Sequence, residues 1–432
     1  MKKILALVLA AVMVFGMMSV TAMADSKITV NLWSFTDEIP GMMTKYLEAH
    51  PEMAEKFEVN TTIIATTDGA YQPALDAALA NGEVDLYAAE AAFILKYAQG
   101  DASEYAASYA DLGIDVDAAL AAADIAQYTV DIGTRPSDNA LVALGYQATG
   151  GVFIYRRSIA KDVLGTDDPA EVQAKLDSWD KFNAVAADAK AKGYYMTASE
   201  SETFRVFSDN GTSALVDDSG KLTLNDSIKA WQAQAKDFSD KGYTLTTGIW
   251  DDECTAQMFK DGKTMCYFGP AWYFNFSMGN AQDPEKGCPG DWAICQGPQA
   301  HFWGGTWLLA ATGSDNPTML ADIMDTFIND EEVCENLIKN ESQFTNNQAV
   351  NAKFAADPDY GNAFLGGQND VAVFVDLAKN IKFENKTIYD QLLCEGLQTY
   401  WREYCDGAVT EEEAMANYYK YINEKYPEIV TP

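Results

Sequence analysis

Ile28-Thr29-Val30-Asn31-Leu32-Trp33-Ser34 sets apolar Ile28, Val30 and Leu32 against polar Thr29 and Asn31, the two-residue period of a half-buried β-strand. A helix is predicted next over residues 40–48, with Pro40 tolerated in its first turn. Residues 57–64 read as a second strand. A second helix follows that carries Tyr71, Leu75, Ala78 and Leu79 on one face, and a short apolar strand over 84–88 closes the run. Strand-helix-strand-helix-strand predicts an α/β fold with a parallel sheet and right-handed crossovers, in which ligands sit beyond the carboxyl ends of the strands. Those ends are residues 33–37, 66–71 and 88–91. The first offers the ring of Trp33 with Ser34, Thr36 and Asp37 as hydrogen-bonding groups, although Asp37 can equally cap the helix behind it.

Beyond residue 140 the pattern changes. Strands are expected at 140–146 and 152–155, with Gly150-Gly151 between them where the chain would cross into a second lobe and Gly145-Tyr146-Gln147 at the cleft. Helices are predicted at 158–164, 178–192 and 225–241, each closed by a glycine. Residues 194–197 read as a strand running into Ser199-Glu200-Ser201-Glu202, carboxylates that could bond ligand hydroxyls or simply start the next helix. Strands are expected at 263–268, 291–295 and 302–312, the last leading to a helix at Asn316-Pro317. The C-terminal part is helical, including 387–404 and a final helix opened by a Thr410/Glu413 capping box, whose Tyr418, Tyr419 and Tyr421 should pack on the lobe.

Composition narrows the function. Lys2 and Lys3, an apolar run from Ile4 to Val20 and Ala22-Met23-Ala24 before Asp25 have the layout of an export leader, residues 1–24, cleaved near Ala24. No later apolar run approaches the ~20 residues that a membrane span needs, so the mature chain is expected outside the cytoplasm, secreted or associated with the cell envelope. The first cysteine is Cys254, so none stands at the cleavage site to carry a lipid. The formal net charge is −34, which excludes nucleic acid as a partner. At 48% hydrophobic residues the chain can build two cores, and two lobes are expected.

All seven cysteines fall in the C-terminal half without a Cys-x-x-Cys pair. Most should be free thiols, with Cys288 in its Gly-Cys-Pro-Gly turn placed to reach Cys295. Only His50 and His301 exist, so histidine-based zinc sites and nucleophile activation are not expected, and no metal or cofactor is implied.

Gly269-Pro270-Ala271-Trp272-Tyr273 and Phe302-Trp303-Gly304-Gly305-Thr306-Trp307 set three tryptophans beside glycines. Such rings can be ordinary core, but glycines leave an indole face open to a small ligand.

These segments, in this order with Tyr71-Gln72-Pro73-Ala74-Leu75, Asp85-Leu86-Tyr87-Ala88-Ala89-Glu90 and Leu144-Gly145-Tyr146-Gln147, resemble the extracellular solute-binding proteins of carbohydrate ABC importers, the group that includes maltose-binding protein. The resemblance spans nearly the whole chain after the leader. It implies the two-lobed periplasmic-binding-protein-like fold (type II), a hinged clamp crossed near 138–145, 298–304 and 343–350. The N-terminal lobe would comprise 25–140 and 304–345, the C-terminal lobe 141–303 and 346–432. A carbohydrate would lie between them on Trp33, Ser34, Asp37, Asp68, Tyr71 and Glu90 from the first lobe and Tyr146, Glu202, Trp272, Trp303 and Trp307 from the second lobe and hinge. The implied partners are that sugar and the ABC permease, with the chain acting as a monomer and no reaction catalysed.

Two other classes fit parts of the pattern. An extracellular glycoside hydrolase would use two carboxylates across a cleft, such as Glu90 and Glu202. A clamp for a polyamine or other organic cation would use Asp37, Asp68, Glu90 and Glu202 with aromatic walls.

Overall fold

A computed structural model describes residues 27–66, 69–381 and 384–432. Its described strands are β1 (Ile28–Ser34), β2 (Phe57–Ile63), β3 (Leu86–Glu90), β4 (Thr134–Arg135), β5 (Ala140–Leu141), β6 (Leu144–Gly145), β7 (Gly150–Arg156), β8 (Cys266–Gly269), β9 (Trp292–Cys295), β10 (His301–Phe302) and β11 (Thr306–Ala310). The first sheet has the order β2-β1-β3-β11-β6. Its β1, β2 and β3 run parallel, as the alternating pattern predicts, while β11 lies antiparallel between β3 and β6. In the second sheet β10 and β8 pair antiparallel with β7, and β9 pairs with β7 as well.

Strand alternation sorts side chains onto two faces in each sheet. In the first, Val30, Leu32, Leu86, Ala88, Leu308 and Ala310 form one core with the helices Glu38–Ala49 and Pro317–Asn329. Tyr87, Ala89, Trp307 and Leu309 point the other way. They join Tyr71, Leu75, Ala78 and Leu79 of the helix Tyr71–Ala80 in a cluster that runs on through the hinge to Val152, Ile154, Tyr267 and Trp292 of the second sheet. The second sheet's other face, Phe153, Tyr155, Cys266, Phe268 and Cys295, packs on the helix Trp179–Ala191.

The chain passes between the two sheets at three places. It leaves β6 at Gly145 and enters β7 at Gly150; it returns from β10 to β11 through Trp303-Gly304-Gly305; and near Thr345 it runs beside the first passage, where Gln147 and Thr345 form a bridge. Asn346 ties these strands together. Its amide donates to Thr129 Oγ1 and to the Gly145 carbonyl, both at 2.8 Å, and its oxygen accepts from the Ala126 N–H at 3.1 Å.

Several local expectations need correction. Gly150-Gly151 is not a connector but the start of β7, where Gly151 pairs with His301 so closely that a Cβ would fall 2.1 Å from the imidazole. The strand expected over 302–312 is broken because Gly304 and Gly305 adopt φ values of 68° and 106°, left-handed conformations that swing the chain from one sheet to the other. Residues 194–197 make only single bridges, Tyr195 to Thr264 and Thr197 to Thr244. The third strand lies two residues later than expected, because Asp85 is spent on side-chain bonds to Asn31 N–H and Nδ2.

All seven cysteines are free. Cys288 and Cys295 cannot pair as expected because Cys295 packs in the core on one face of the second sheet and Cys288 against the cluster on the other. The predicted capping box forms in full: Thr410 Oγ1 accepts the Glu413 N–H and the Glu413 carboxylate accepts the Thr410 N–H. Tyr418 and Ile422 of that helix are buried. Residues 1–24, read as an export leader, lie outside the described residues, and among those described no helix is long and apolar enough to cross a membrane.

Candidate functional site

The carboxyl end of β3 lies beside the amino end of β11, with Glu90 opposite Thr306, so the return passage is held against the end of the first sheet. Ala91 N–H donates to the Gly305 carbonyl at 3.0 Å, and Thr149 Oγ1 donates to that of Gly304 at 2.7 Å. Gly304 separates two of the expected site groups. A Cβ there would stand 3.2 Å from the Trp272 indole and 3.4 Å from Glu90 Oε1, so this glycine lets a carboxylate from the first lobe and an indole from the second approach one another.

The indoles form a wall. Trp272 and Trp303 meet edge to face with centroids 5.2 Å apart, and Tyr273 packs on both. Over Trp303, at 5.7 Å, lies the guanidinium of Arg205 from the helix Phe204–Asp209. Arg205 is close enough to act electrostatically on Glu90 and on Glu395 of the helix Asp390–Cys405. Glu395 accepts from Gln391 Nε2 at 3.2 Å, and Gln391 Oε1 accepts from Gln72 Nε2 of the first lobe at 3.1 Å. The result is a cluster between the sheets: the indoles on one side, and two carboxyls, a guanidinium and two amides around them.

Burial raises the Glu90 carboxyl to about 7, opposed by the Ala92 N–H on its Oε2 and by the Arg205 charge. Glu395 is also raised by burial against the Gln391 bond and Arg205. At neutral pH Glu90 is therefore near the midpoint of its titration and can present either a donor or an acceptor to a hydroxyl.

The sequence-selected residues divide sharply. Glu90, Trp272 and Trp303 converge on this cluster, with Trp272 half-buried and Trp303 buried at 8% exposure, and Trp33 is half-buried against the same core. Asp37 is exposed at the start of the helix Glu38–Ala49 and makes no side-chain cap bond there. Asp68 lies outside the described residues.

Five others are placed in the interior. Ser34 is fully buried at the end of β1. The Tyr71 hydroxyl is spent on the Ala88 carbonyl at 2.7 Å, which ties its helix to the sheet. Tyr146 is buried with its hydroxyl facing Glu38. Trp307 is fully buried, its ring against Gly145 and Gly305 and its N–H on the Thr129 carbonyl at 3.3 Å. The expectation that its indole lies open is corrected: on β11 it alternates onto the inner face with Leu309.

Glu202 is turned inward too. Its Oε1 accepts the Phe268 N–H at 2.8 Å, while Oε2 is buried without a hydrogen-bond partner among the described residues. Burial, and then the neighbouring Glu200, push it up to about 8 despite the Phe268 bond. Glu200 itself pairs with Arg402 at 2.6 Å.

Arg205, Glu395, Gln391 and Gln72 were not singled out from the sequence. Arg205 carries the one signal that could have found it, since it is the only basic residue between Lys192 and Lys221 and follows three residues after Glu202.

A cavity of ≈ 720 Å³ lies elsewhere. It lies at the opposite end of the first sheet, by the start of β1 and the end of β11, lined by Lys27, Thr29, Asn31 and Asp85. No indole borders it. The cluster at the carboxyl ends has the converging groups of a ligand site and is preferred on that ground. Among the described residues no cluster of His, Cys, Asp or Glu could hold a metal ion.

Residues 42–363 match the profile of the family described as bacterial extracellular solute-binding protein. Among solved structures, a crystal structure of an extracellular solute-binding protein of family 1 superposes with a TM-score of 0.74 at 18% identity, covering 92% of this chain and 99% of its own. The ABC transporter associated binding protein from B. animalis subsp. lactis, in complex with beta-1,6-galactobiose, gives 0.69 at 16% identity, covering 94% and 100%. An ABC substrate-binding protein from Listeria monocytogenes in complex with cycloalternan also gives 0.69 at 16%, covering 93% and 100%. No curated protein matches the chain by sequence. The fold is thus the two-lobed binding-protein fold.

Proposed function

The chain belongs to the bacterial extracellular solute-binding proteins, and we propose that its solute is a carbohydrate, gripped between the lobes and delivered to the permease of an ABC importer. The observation that carries this reading is the Trp272–Trp303 wall facing Glu90 across Gly304, with Arg205 alongside. A sugar ring has apolar C–H faces that stack on indoles and a rim of hydroxyls that suit carboxyls, amides and guanidinium. Two such stacking contacts at ~1.5 to 3 kcal/mol each and several hydrogen bonds at ~1 kcal/mol exceed the cost of association enough for micromolar binding. That structural neighbours of the same fold were solved with beta-1,6-galactobiose and cycloalternan supports the ligand class.

Ligand contacts are assigned to Trp33, Glu90, Trp272 and Trp303, joined by Arg205, Glu395, Gln391 and Gln72. The lobes are taken as 25–140 with 304–345 and 141–303 with 346–432, and the pairing of β6 with β11 supports carrying the first segment on to Gly145. Closure of the lobes on the sugar is the state the permease would read. The working form is a monomer outside the cytoplasm, its leader removed near Ala24.

No reaction is assigned. A hydrolase would need Glu90 and Glu202 facing one another across the cleft, and the inward turn of Glu202 argues against that pair. An organic-cation cage is disfavoured by Arg205, which brings a positive charge to the indole wall.

Thermal shift over mono- and oligosaccharides, with spermidine and reducing-end release measured alongside, tests the reading. A ligand at 100 times its dissociation constant adds ~2.7 kcal/mol of stability. Stabilisation by a saccharide without turnover is the expected result; stabilisation by spermidine alone, or release of reducing ends, refutes it.

A further inference from the structure

Two large aromatic side chains stand in solvent beside the indole wall. Trp250 is 56% exposed and Phe276 69% exposed, and their rings meet edge to face at 6.1 Å. Neither is isolated. Trp250 packs on Trp303 at 5.6 Å and Phe276 on Trp272 at 6.0 Å, so the exposed pair continues the wall outward without a break.

The turn that carries Trp250 is pinned. The Asp251 carboxylate accepts from the Gly248 N–H at 2.7 Å and from Thr247 Oγ1 at 3.1 Å, and Ser199 Oγ donates to the Thr247 carbonyl at 2.6 Å. Phe276 follows Asn275, whose amide donates to the Glu341 carbonyl at 2.5 Å. Glu341 ends the helix Glu331–Glu341, whose Leu337 is buried in the first lobe's core. The pair therefore stands at the rim where the two lobes meet. Apolar surface left in water at such a place is uncommon on a soluble chain and marks a binding surface.

We propose that Trp250 and Phe276 form an outer subsite that stacks one further sugar unit of a saccharide whose other units lie on Trp272 and Trp303, so that the ligand is an oligosaccharide longer than a disaccharide. The inference rests on the carbohydrate reading of the inner wall. It commits to a sugar unit because the exposed rings are continuous with the inner rings and held by them, so a chain seated on the wall meets them next. A ring platform takes a unit by its face and tolerates its linkage.

Calorimetric titration with α-1,4-glucan and β-1,6-galactan oligosaccharides of two to five units tests this on the intact mature chain. The native protein should bind a longer member of one series at least 5-fold more tightly than its disaccharide. Trp250→Ala and Phe276→Ala should each lower that ratio about 5-fold, and Trp250→Phe should restore part of it. Circular dichroism should be unchanged because both side chains are exposed. Equal affinity for all lengths, or equal losses across lengths in the alanine variants, overturns the outer subsite and leaves the carbohydrate reading standing. Absence of binding to every saccharide removes both. Unchanged affinities with uptake lost in cells would assign the pair to permease contact instead and also overturn the proposal.

Discussion

Trp272 donates its indole N–H to the carbonyl of Trp303 at 3.1 Å while the two rings stand at 70° to one another. That bond fixes the Trp272 ring against the Trp303 backbone, and Tyr273 packs on both rings. A wall preset in this way loses little rotamer freedom when a ligand stacks on it, so more of the contact energy is left for affinity.

Replacement of Trp272 and of Trp307 should therefore have opposite signatures. Trp272→Ala removes half of the wall from a half-buried position, and ligand-induced stabilisation should disappear while the ligand-free melting temperature falls by only a few degrees. Trp307→Ala opens a cavity beside Gly145 and Gly305 and strands the Thr129 carbonyl, which should cost about 3–5 kcal/mol without ligand. Thermal melts of both variants with and without saccharide check this, and a ligand-free loss larger for Trp272 than for Trp307 would reverse the assignment.

Affinity should depend on pH through Glu90. Its carboxyl is raised by burial to about 7, and a sugar hydroxyl donating to it is bound best by the ionised form. Binding then favours loss of the proton, and affinity should rise as pH increases from about 6 to 8, approaching tenfold for each step of one in pH below the midpoint. Glu90→Gln should flatten that profile. A native profile that is flat, or that falls with pH, would show that Glu90 does not accept from the ligand in its charged form.

Stability should depend on pH through Glu202 in a different way. Its folded value, about 8, lies above the ordinary carboxyl value of 4.5, so the folded state holds a proton that the unfolded chain has already released. The native state binds more protons between about 4.5 and 8, and Glu202 lowers stability progressively as pH rises through that window. Glu202→Gln keeps an oxygen for the Phe268 N–H and removes the ionisation. The variant should match the native protein near pH 5 and exceed it near pH 8.5 by a few kcal/mol at most, because a tenfold difference in proton affinity between the folded and unfolded chains corresponds to about 1.4 kcal/mol. Urea titrations at the two pH values decide it, and a variant weaker at both would point to a lost contact rather than a lost charge.

The first lobe was legible because its pattern is local. Apolar positions at two-residue spacing in β1 and at helical spacing from Tyr71 to Leu79 each specify one element, and the parallel sheet follows from their order. The hinge strands were harder. Gly150-Gly151 and Gly304-Gly305 look alike as turn signals, yet the first pair lies within β7 and the second bends the chain, because what decides between them is the imidazole of His301 and the approach of Glu90, both brought in from far along the chain.

The site was legible only where chemistry is rare. Tryptophans beside glycines drew notice, but nothing local tells that Trp307 is fully buried on β11 while Trp272 stays half-buried. Arg205, Gln391 and Glu395 sit on ordinary helices, and the approach of Arg205 and Glu395 to Glu90, with Gln391 bonded to Glu395, is a product of the tertiary fold.

The Gln72–Gln391 bond is where closure can be tested apart from stacking. Gln72 belongs to the helix behind the end of β1, and Gln391 to the helix Asp390–Cys405 that carries Glu395, so their 3.1 Å contact exists only while those two elements are together. Both side chains stand near solvent, and an amide bond of this kind contributes about 0.5–1.5 kcal/mol. Gln391→Ala also removes the donor to Glu395. The variant should keep the native melting temperature without ligand, bind saccharide about 2- to 10-fold more weakly, and need more ligand to reach the compact form in solution scattering. Gln72→Ala, which leaves the Glu395 bond intact, should reproduce the scattering shift with the smaller loss of affinity. Equal affinity and compaction in both variants would mean that the two amides touch without holding the lobes together.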